Sequence, residues 1–247
     1  MKIPIIIPIV LSCSSFTACS QNTATKHDKP GNVTQQIGGR CEDCEAIYEC
    51  PVPFEQLNET DTLPDFNDPG PKITISGIIY QADGKTPAAD VVLYVYHTDQ
   101  KGIYPTKGNE KGRAKRHGYI RGWIKTNAQG EYKFYTLVPA SYPNSANAKH
   151  IHPIIKEPGK NEYWIDDFVF DDDPLLPEKE RARAKPVGGR GVLKTSMKDG
   201  MLIATRNIIL GLNVADYPTA SVKNIEPGLS IMSDFRLLVP CIFSWID

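Results

Sequence analysis

From Pro71 onward the chain is cut into short runs by Gly, Asn, Asp and Pro, and this rhythm limits the folds open to it more than any other feature. Ile73, Ile75, Gly77 and Ile79 alternate with Thr74, Ser76 and Ile78, and the run stops at Ala82-Asp83-Gly84-Lys85-Thr86-Pro87. Alternation of this kind sends successive side chains to opposite faces of a strand, and Asp-Gly with a following Pro is turn chemistry. Val91–His97, Tyr119–Thr126, Glu131–Leu137, His150–Ile155, Trp164–Phe170, Val192-Leu193 and Met201–Leu210 read as further strands, and Asn127-Ala128-Gln129-Gly130 turns the chain before Glu131. Only Glu178–Lys185 has a helical texture; it is charged all round, which suits a solvated loop or one exposed turn. The expectation is an all-β fold over residues 71–213, an antiparallel β-sandwich with long loops and little helix.

The amino terminus reads as an address. Lys2 precedes the apolar run Ile3–Leu11, the layout of a signal peptide over residues 1–18, and the run is too short to span a bilayer. Phe16-Thr17-Ala18-Cys19 resembles a bacterial lipoprotein box, with Cys19 as the lipidated residue; Val10-Leu11-Ser12-Cys13 is the rival box. Residues 19–40 are polar, as a flexible tether would be. The expected protein is therefore exported and held at a bacterial membrane by lipid alone, on the periplasmic or cell-surface face. Residues 41–70 form a Cys-rich extension, and in an oxidising compartment Cys41, Cys44, Cys50 and Cys241 read first as disulfide partners, with pairing left open. A metal knuckle is the alternative use of Cys41-x-x-Cys44. Residues 214–247 are a tail that closes on an apolar stretch. With 28 Lys+Arg against 29 Asp+Glu, the chain has no basic footprint for nucleic acid.

His150-Ile151-His152 is the sharpest chemical signal, because two imidazoles at i and i+2 of a strand share a face. Tyr142-Pro143 lies in a Pro- and Ser-rich loop just before them, and Tyr104-Pro105 ends an earlier strand. The stretch Lys111–His117 is basic; it reads as a solvated loop that could steer an anion if it bordered a cleft. His117 and Tyr119 are candidates for the wall of a pocket. His97 and His27 read as ordinary polar residues.

Gly102-Ile103-Tyr104, Arg121-Gly122, Thr126-x-x-x-Gly130-x-Tyr132-x-Phe134-x-Thr136, Pro139-x-x-Tyr142-Pro143 and His150-Ile151-His152 resemble, in order, the intradiol ring-cleavage dioxygenases. The resemblance covers about Lys72 to Pro174. It implies a non-haem Fe(III) held by Tyr104, Tyr142, His150 and His152, with a small aromatic diol and O2 as substrates. Fe(III) is acidic enough to deprotonate phenols, and two phenolates offset most of its charge in a buried site. The resemblance further implies that Tyr142 yields its place to a chelating catechol and takes one of its protons, and that the ring opens between the two oxygenated carbons to a muconate-type dicarboxylate. Family members often assemble, so a homo-oligomer is admitted.

Two positions depart from the family pattern. Asn147 stands where an arginine usually precedes the first histidine, and Asp167 stands near a usual glutamine. Arg121, on a strand expected to border the same cavity, is the candidate replacement for the catalytic arginine. The alternative function is a noncatalytic extracytoplasmic β-sandwich module that binds carbohydrate, protein or an iron-catecholate; a zinc hydrolase on the same histidines lacks the usual acidic spacing. Cys19→Ser should abolish incorporation of a labelled fatty acid in a bacterial host while Cys13→Ser leaves it, and the opposite pattern would move the anchor to Cys13.

Overall fold

Alternating apolar residues do build strands where the sequence places them, and the computed structural model describes residues 36–218 in these terms. Twelve strands are present among them: β1 (Thr60–Thr62), β2 (Lys72–Tyr80), β3 (Val92–His97), β4 (Arg121–Lys125), β5 (Glu131–Leu137), β6 (His150–Lys156), β7 (Glu162–Trp164), β8 (Phe168–Phe170), β9 (Val192–Leu193), β10 (Ser196–Lys198), β11 (Met201–Thr205) and β12 (Ile208–Ile209). Helix is confined to α1 (Ala114–His117), α2 (Glu178–Arg181) and two 3-10 segments, Cys44–Glu49 and Phe54–Gln56. The expected helical texture at Glu178–Lys185 is thus one exposed turn, and the basic stretch read as a loop contains another. The signal, the Cys19 and Cys13 boxes, His27, most of the tether and of the tail, and Cys241 lie outside the described residues.

The strands form two six-stranded sheets, one ordered β1-β5-β2-β11-β10 with β12 also on β2, the other β4-β3-β6-β8-β9 with β7 also on β6. The expected antiparallel pairing holds for β2 with β5, for β3 with β4 and β6, for β6 with β7 and β8, and for β10 with β11. Four pairs run parallel instead: β1 with β5, β11 and β12 with β2, and β8 with β9. Each of these brings a strand back from a distant part of the chain, so no hairpin turn dictates its direction.

Two expected strands are broken, each for a local reason. Trp164–Phe170 divides into β7 and β8 because Asp166 turns aside, its backbone N–H donating to Val187 O and its carboxylate accepting from Val187 N–H. Met201–Leu210 divides into β11 and β12 at Arg206-Asn207, where the Asn207 side chain accepts the Ile78 N–H at 3.0 Å. A Cβ on Gly77 would lie 1.8 Å from Arg206 O, the same oxygen that accepts the Tyr132 hydroxyl at 2.7 Å. The close approach of β2 to the Arg206 peptide therefore requires glycine.

Period-two burial gives the second sheet two apolar faces. Leu93, Val95, Ile124, Ile151 and Ile155 belong to one cluster with Ile73, Ile75 and Phe134 of the first sheet. Val92, Tyr94, Trp123 and Ile154 belong to another with Cys44, Ala46 and Ile47 of the Cys-rich extension. Each fully buried aliphatic or aromatic side chain contributes roughly 1.5–3 kcal/mol, so the extension is a structural cover for that face. Trp123 seals it by donating its indole N–H to Ile47 O at 2.8 Å. Cys41 is bonded to Cys44, and among the described residues half-buried Cys50 has no disulfide partner. Gly77→Ala should displace the Arg206 peptide and destabilise the chain by about 1–3 kcal/mol in urea unfolding; a neutral result would show that the two backbones part without cost.

Candidate metal centre

Strand β6 presents His150 and His152 on the face covered by the extension, the same face as Tyr94, Trp123 and Ile154. The ring of His150 is fixed by its Nδ1–H, which donates to Ala148 O at 2.6 Å. That of His152 is fixed by Nδ1–H donating to Asp167 Oδ1 at 2.9 Å. With both Nδ1 protons committed, both Nε2 atoms carry lone pairs, and they face each other at 3.1 Å.

Two loops bring the tyrosines to them. After β3 and after β5 the chain is zipped: Thr98 Oγ1 donates to Ala140 O at 2.6 Å, Ala140 N–H to Asp99 O at 3.1 Å, and Gln100 Nε2 to Val138 O at 2.7 Å. Gly102, with φ +75°, fits against Ser141 O, where a Cβ would come within 2.0 Å. Tyr104 and Tyr142 consequently meet, hydroxyl to hydroxyl, in a short hydrogen bond. Tyr142 Oη lies 3.1 Å from His150 Nε2 and 3.3 Å from His152 Nε2, and Tyr104 Oη lies 2.9 Å from His152 Nε2.

Four donor atoms from three separate elements thus converge on one point. Burial pushes both phenols above their ordinary range and lowers His150, so these three groups are held toward their neutral forms. Two phenols and two imidazoles that present Nε2 suit a hard, highly charged cation, whose field would reverse the phenol shifts and release their protons. Asp167 is near enough to count as a third donor beside the two histidines, but it engages the opposite ring nitrogen of His152; it orients the ligand instead of joining the set. The proximity of His152 also holds the Asp167 carboxyl below its ordinary value despite burial.

Of the other residues singled out in the sequence, Asn147 lines a cleft of about 650 Å³ together with Tyr142, His150, His152, Asp167 and Trp164. Arg121 shares the sheet face through the register Arg121, Tyr96, His152, but Tyr96 stands between it and the histidine. Its guanidinium pairs with Glu49 at 2.8 Å and lies over Trp123. The structure does not bring it to the donor set, and the expected substitute for the missing arginine is occupied elsewhere. Tyr119 also sits apart, reaching toward Asp68 beneath the Lys107 ammonium. His117 is connected through one ring: it stacks on Tyr96 at 3.7 Å, and Tyr96 stacks on His152 at 4.7 Å. Alternation along Val92-Leu93-Tyr94-Val95-Tyr96 was the signal that could have placed Tyr96 beside the histidines. The basic segment carrying α1 is clasped by Glu42, Asp43 and Glu49 of the extension, so it is an ion-paired wall.

A family model described as "Dioxygenase" matches residues 53–206. The chain belongs to the intradiol dioxygenase family. It is 30% identical over 118 residues to catechol 1,2-dioxygenase 1 of Acinetobacter lwoffii, covering 47% of this chain and 36% of that protein. It is 27% identical over 113 residues to the protocatechuate 3,4-dioxygenase beta chain of Burkholderia cepacia, covering 43% and 48%. Among solved structures it is similar to the dioxygenase domain of a carbohydrate-binding fusion from Streptomyces sp. SirexAA-E, with TM-score 0.47 and 22% identity over 65% of this chain and 94% of that one. The chain spans about half or less of the length of the curated relatives it matches, from 36% to 53%.

Below the tyrosine loops lies a second buried network. His97 donates Nδ1–H to Thr98 O at 2.7 Å, its Nε2 meets Thr136 Oγ1 at 2.6 Å, and Thr136 donates to Asp65 Oδ1 at 2.9 Å. His97 is therefore a fully buried strut under the Thr98 turn. Burial pushes Asp65 up to about 6 and His97 down to about 4. The raised carboxyl adds stability that is present in acid and lost as pH rises through about 6; the lowered imidazole adds stability that is present above its ordinary value and lost as pH falls through about 4. Between those values the two slopes oppose. Asp65→Asn removes one of them, so its urea midpoint should drop more steeply than that of the parent protein from about pH 6.5 down to about pH 4. Parallel curves would show that the two groups do not compensate.

Proposed function

We propose that this protein is a non-haem Fe(III) dioxygenase that cleaves a catechol-type ring between its two hydroxylated carbons with O2. The observation that carries the proposal is the convergence of the Tyr104, Tyr142, His150 and His152 donor atoms, in a family known to use non-haem iron. Those four residues would hold the metal. When bound, ferric iron would supply Lewis-acid chelation of the diol and the electron demand that opens the ring to dioxygen.

The remaining chemistry belongs to the chain. Tyr142 lines the cleft whereas Tyr104 does not, so Tyr142 is the donor that an entering diol can displace and the base that can take one of its protons. Tyr104 and both histidines stay behind it as the fixed part of the site. Ala148 O and Asp167 keep the two imidazoles in the tautomer that offers Nε2, and the ring of Tyr96 backs His152. The scaffold in this proposal is a sandwich of the two sheets, and the protein is exported and lipid-anchored through Cys19. A second reading, a binding module without turnover, is favoured by one observation: Asn147 lies at the cleft where an arginine is usual, and Arg121 is spent on Glu49.

Oxygen uptake by the iron-supplied full chain, with a catechol panel and identification of a ring-opened dicarboxylate, separates the two. A chain that retains no iron and consumes no oxygen would end the enzyme proposal. Asp167→Asn should keep the fold and weaken iron retention about 10–100-fold, whereas His152→Ala should remove iron and any tyrosinate colour together; unchanged iron content in His152→Ala would overturn the ligand assignment.

A further inference from the structure

We infer that Arg190 grips the substrate of this site, with its guanidinium set against the ring of the bound diol. The inference rests on the ring-cleaving function proposed above and adds a side chain to that site which no local motif marks. Strand pairing brings Arg190 to the donor end of the cleft. His150 pairs with Val169 across antiparallel β6 and β8, and Val169 pairs with Val192 across parallel β8 and β9. Two residues along from those pairs, on the same face of the sheet, His152, Asp167 and Arg190 stand in a row. Two contacts agree with it. His152 meets Asp167 at 2.9 Å, and a Cβ on Gly191 would lie 2.0 Å from Asp167 O, so the chain around Arg190 packs directly on the residue that orients the histidine.

The main chain holds Arg190 from both sides and leaves its side chain open. Gly189 O accepts from the buried Arg206 guanidinium at 3.2 Å, and Gly191 O accepts the Val169 N–H at 3.0 Å. Arg190 itself is exposed and lines the cleft with Tyr142, His150 and His152. Acids and cations balance along the cleft wall, so overall charge selects nothing there, and unused hydrogen-bonding capacity decides instead. Asp167 is committed to His152, and Asp166 and Glu180 both face Arg183, the former at 3.5 Å. Among the described residues Arg190 has no ion pair, and its one hydrogen bond donates Nη1–H to Arg181 O at 3.0 Å. A guanidinium is a planar fork of N–H donors, so most of them remain for a ligand. Asn147 lines the cleft without a charge, Arg121 is paired with Glu49, and Lys179 belongs to α2, which pairs with no strand. A diol that has given up its protons at the donor set spreads negative charge into its ring, and a flat guanidinium meets such a ring by charge and by stacking together.

The test loads the full chain with Ga(III), a redox-inert ion of the same charge as Fe(III), and follows catechol binding by calorimetry; the iron-supplied chain is assayed alongside for kcat and KM. Arg190→Gln should keep the metal content and Tm of the parent protein, weaken catechol binding about 10–100-fold and lower kcat/KM by a similar factor. Arg190→Lys should fall between the two, because it keeps the charge and loses the planar fork. Lys179→Gln should bind catechol about as tightly as the parent. Unchanged binding in Arg190→Gln, or equal losses in Arg190→Gln and Lys179→Gln, would overturn the inference while leaving ring cleavage in place. A parent chain that binds catechol but releases no ring-opened product would end the proposed turnover alone, and calorimetry would still decide the part of Arg190. A parent chain that retains neither ion would end both.

Discussion

The pairing of two loops that neither touch in sequence nor share a sheet holds the rest of the site in place. Thr98, Asp99 and Gln100 bind the main chain of Val138 and Ala140, and Gly102 lets the two backbones close. Without that zipper the tyrosines would be two loop phenols of ordinary character. With it, their hydroxyls are carried onto the Nε2 atoms that β6 sets in place, and four metal-ligating atoms meet within hydrogen-bond reach of one another. The two phenolic protons cap the two Nε2 lone pairs, and a hard cation would take the place of those protons at all four atoms.

The orientation of the donors depends on less conspicuous groups. A main-chain carbonyl and a carboxylate choose the tautomers of His150 and His152. The carboxylate is available only because the chain leaves the sheet between β7 and β8, and Arg206 holds that break from behind through Asp166 O at 2.7 Å. The buried guanidinium, its Gly77-dependent backbone and the histidine orienter are thus one continuous support.

Much of this was legible in the sequence, and the limits follow from distance along the chain. Period-two alternation located most of the strands and put His150 and His152 on one face, since strand geometry alone requires it. The four-residue donor set came from family resemblance, because the contacts that join the Tyr104 and Tyr142 loops are long-range and main-chain in part. Asp167 looked like a lost glutamine; only the break after Trp164 turns it onto His152. Arg121 was expected at the cavity because its strand should border it; the register does put it on the histidine face, yet Glu49, a partner from the extension, captured its charge. The same extension looked like a Cys-rich prelude to the fold, and nothing in its local pattern announces that Ile47 and Ala46 are core residues. His97 looked ordinary because burial of a lone histidine has no local sign.

That cover has a bearing on how the protein can be divided. The family match begins at residue 53, but the sheet face that carries the two histidines is finished by Cys44, Ala46 and Ile47, which precede it. A piece starting at the first long strand would bare Tyr94, Trp123 and Ile154 as a contiguous sticky surface right next to the donors, and would leave Arg113, Arg116 and Arg121 without their acids. The unit that keeps the donor set covered is consequently larger than the stretch the family model matches, and any graft, fusion or truncation has to carry that wall along.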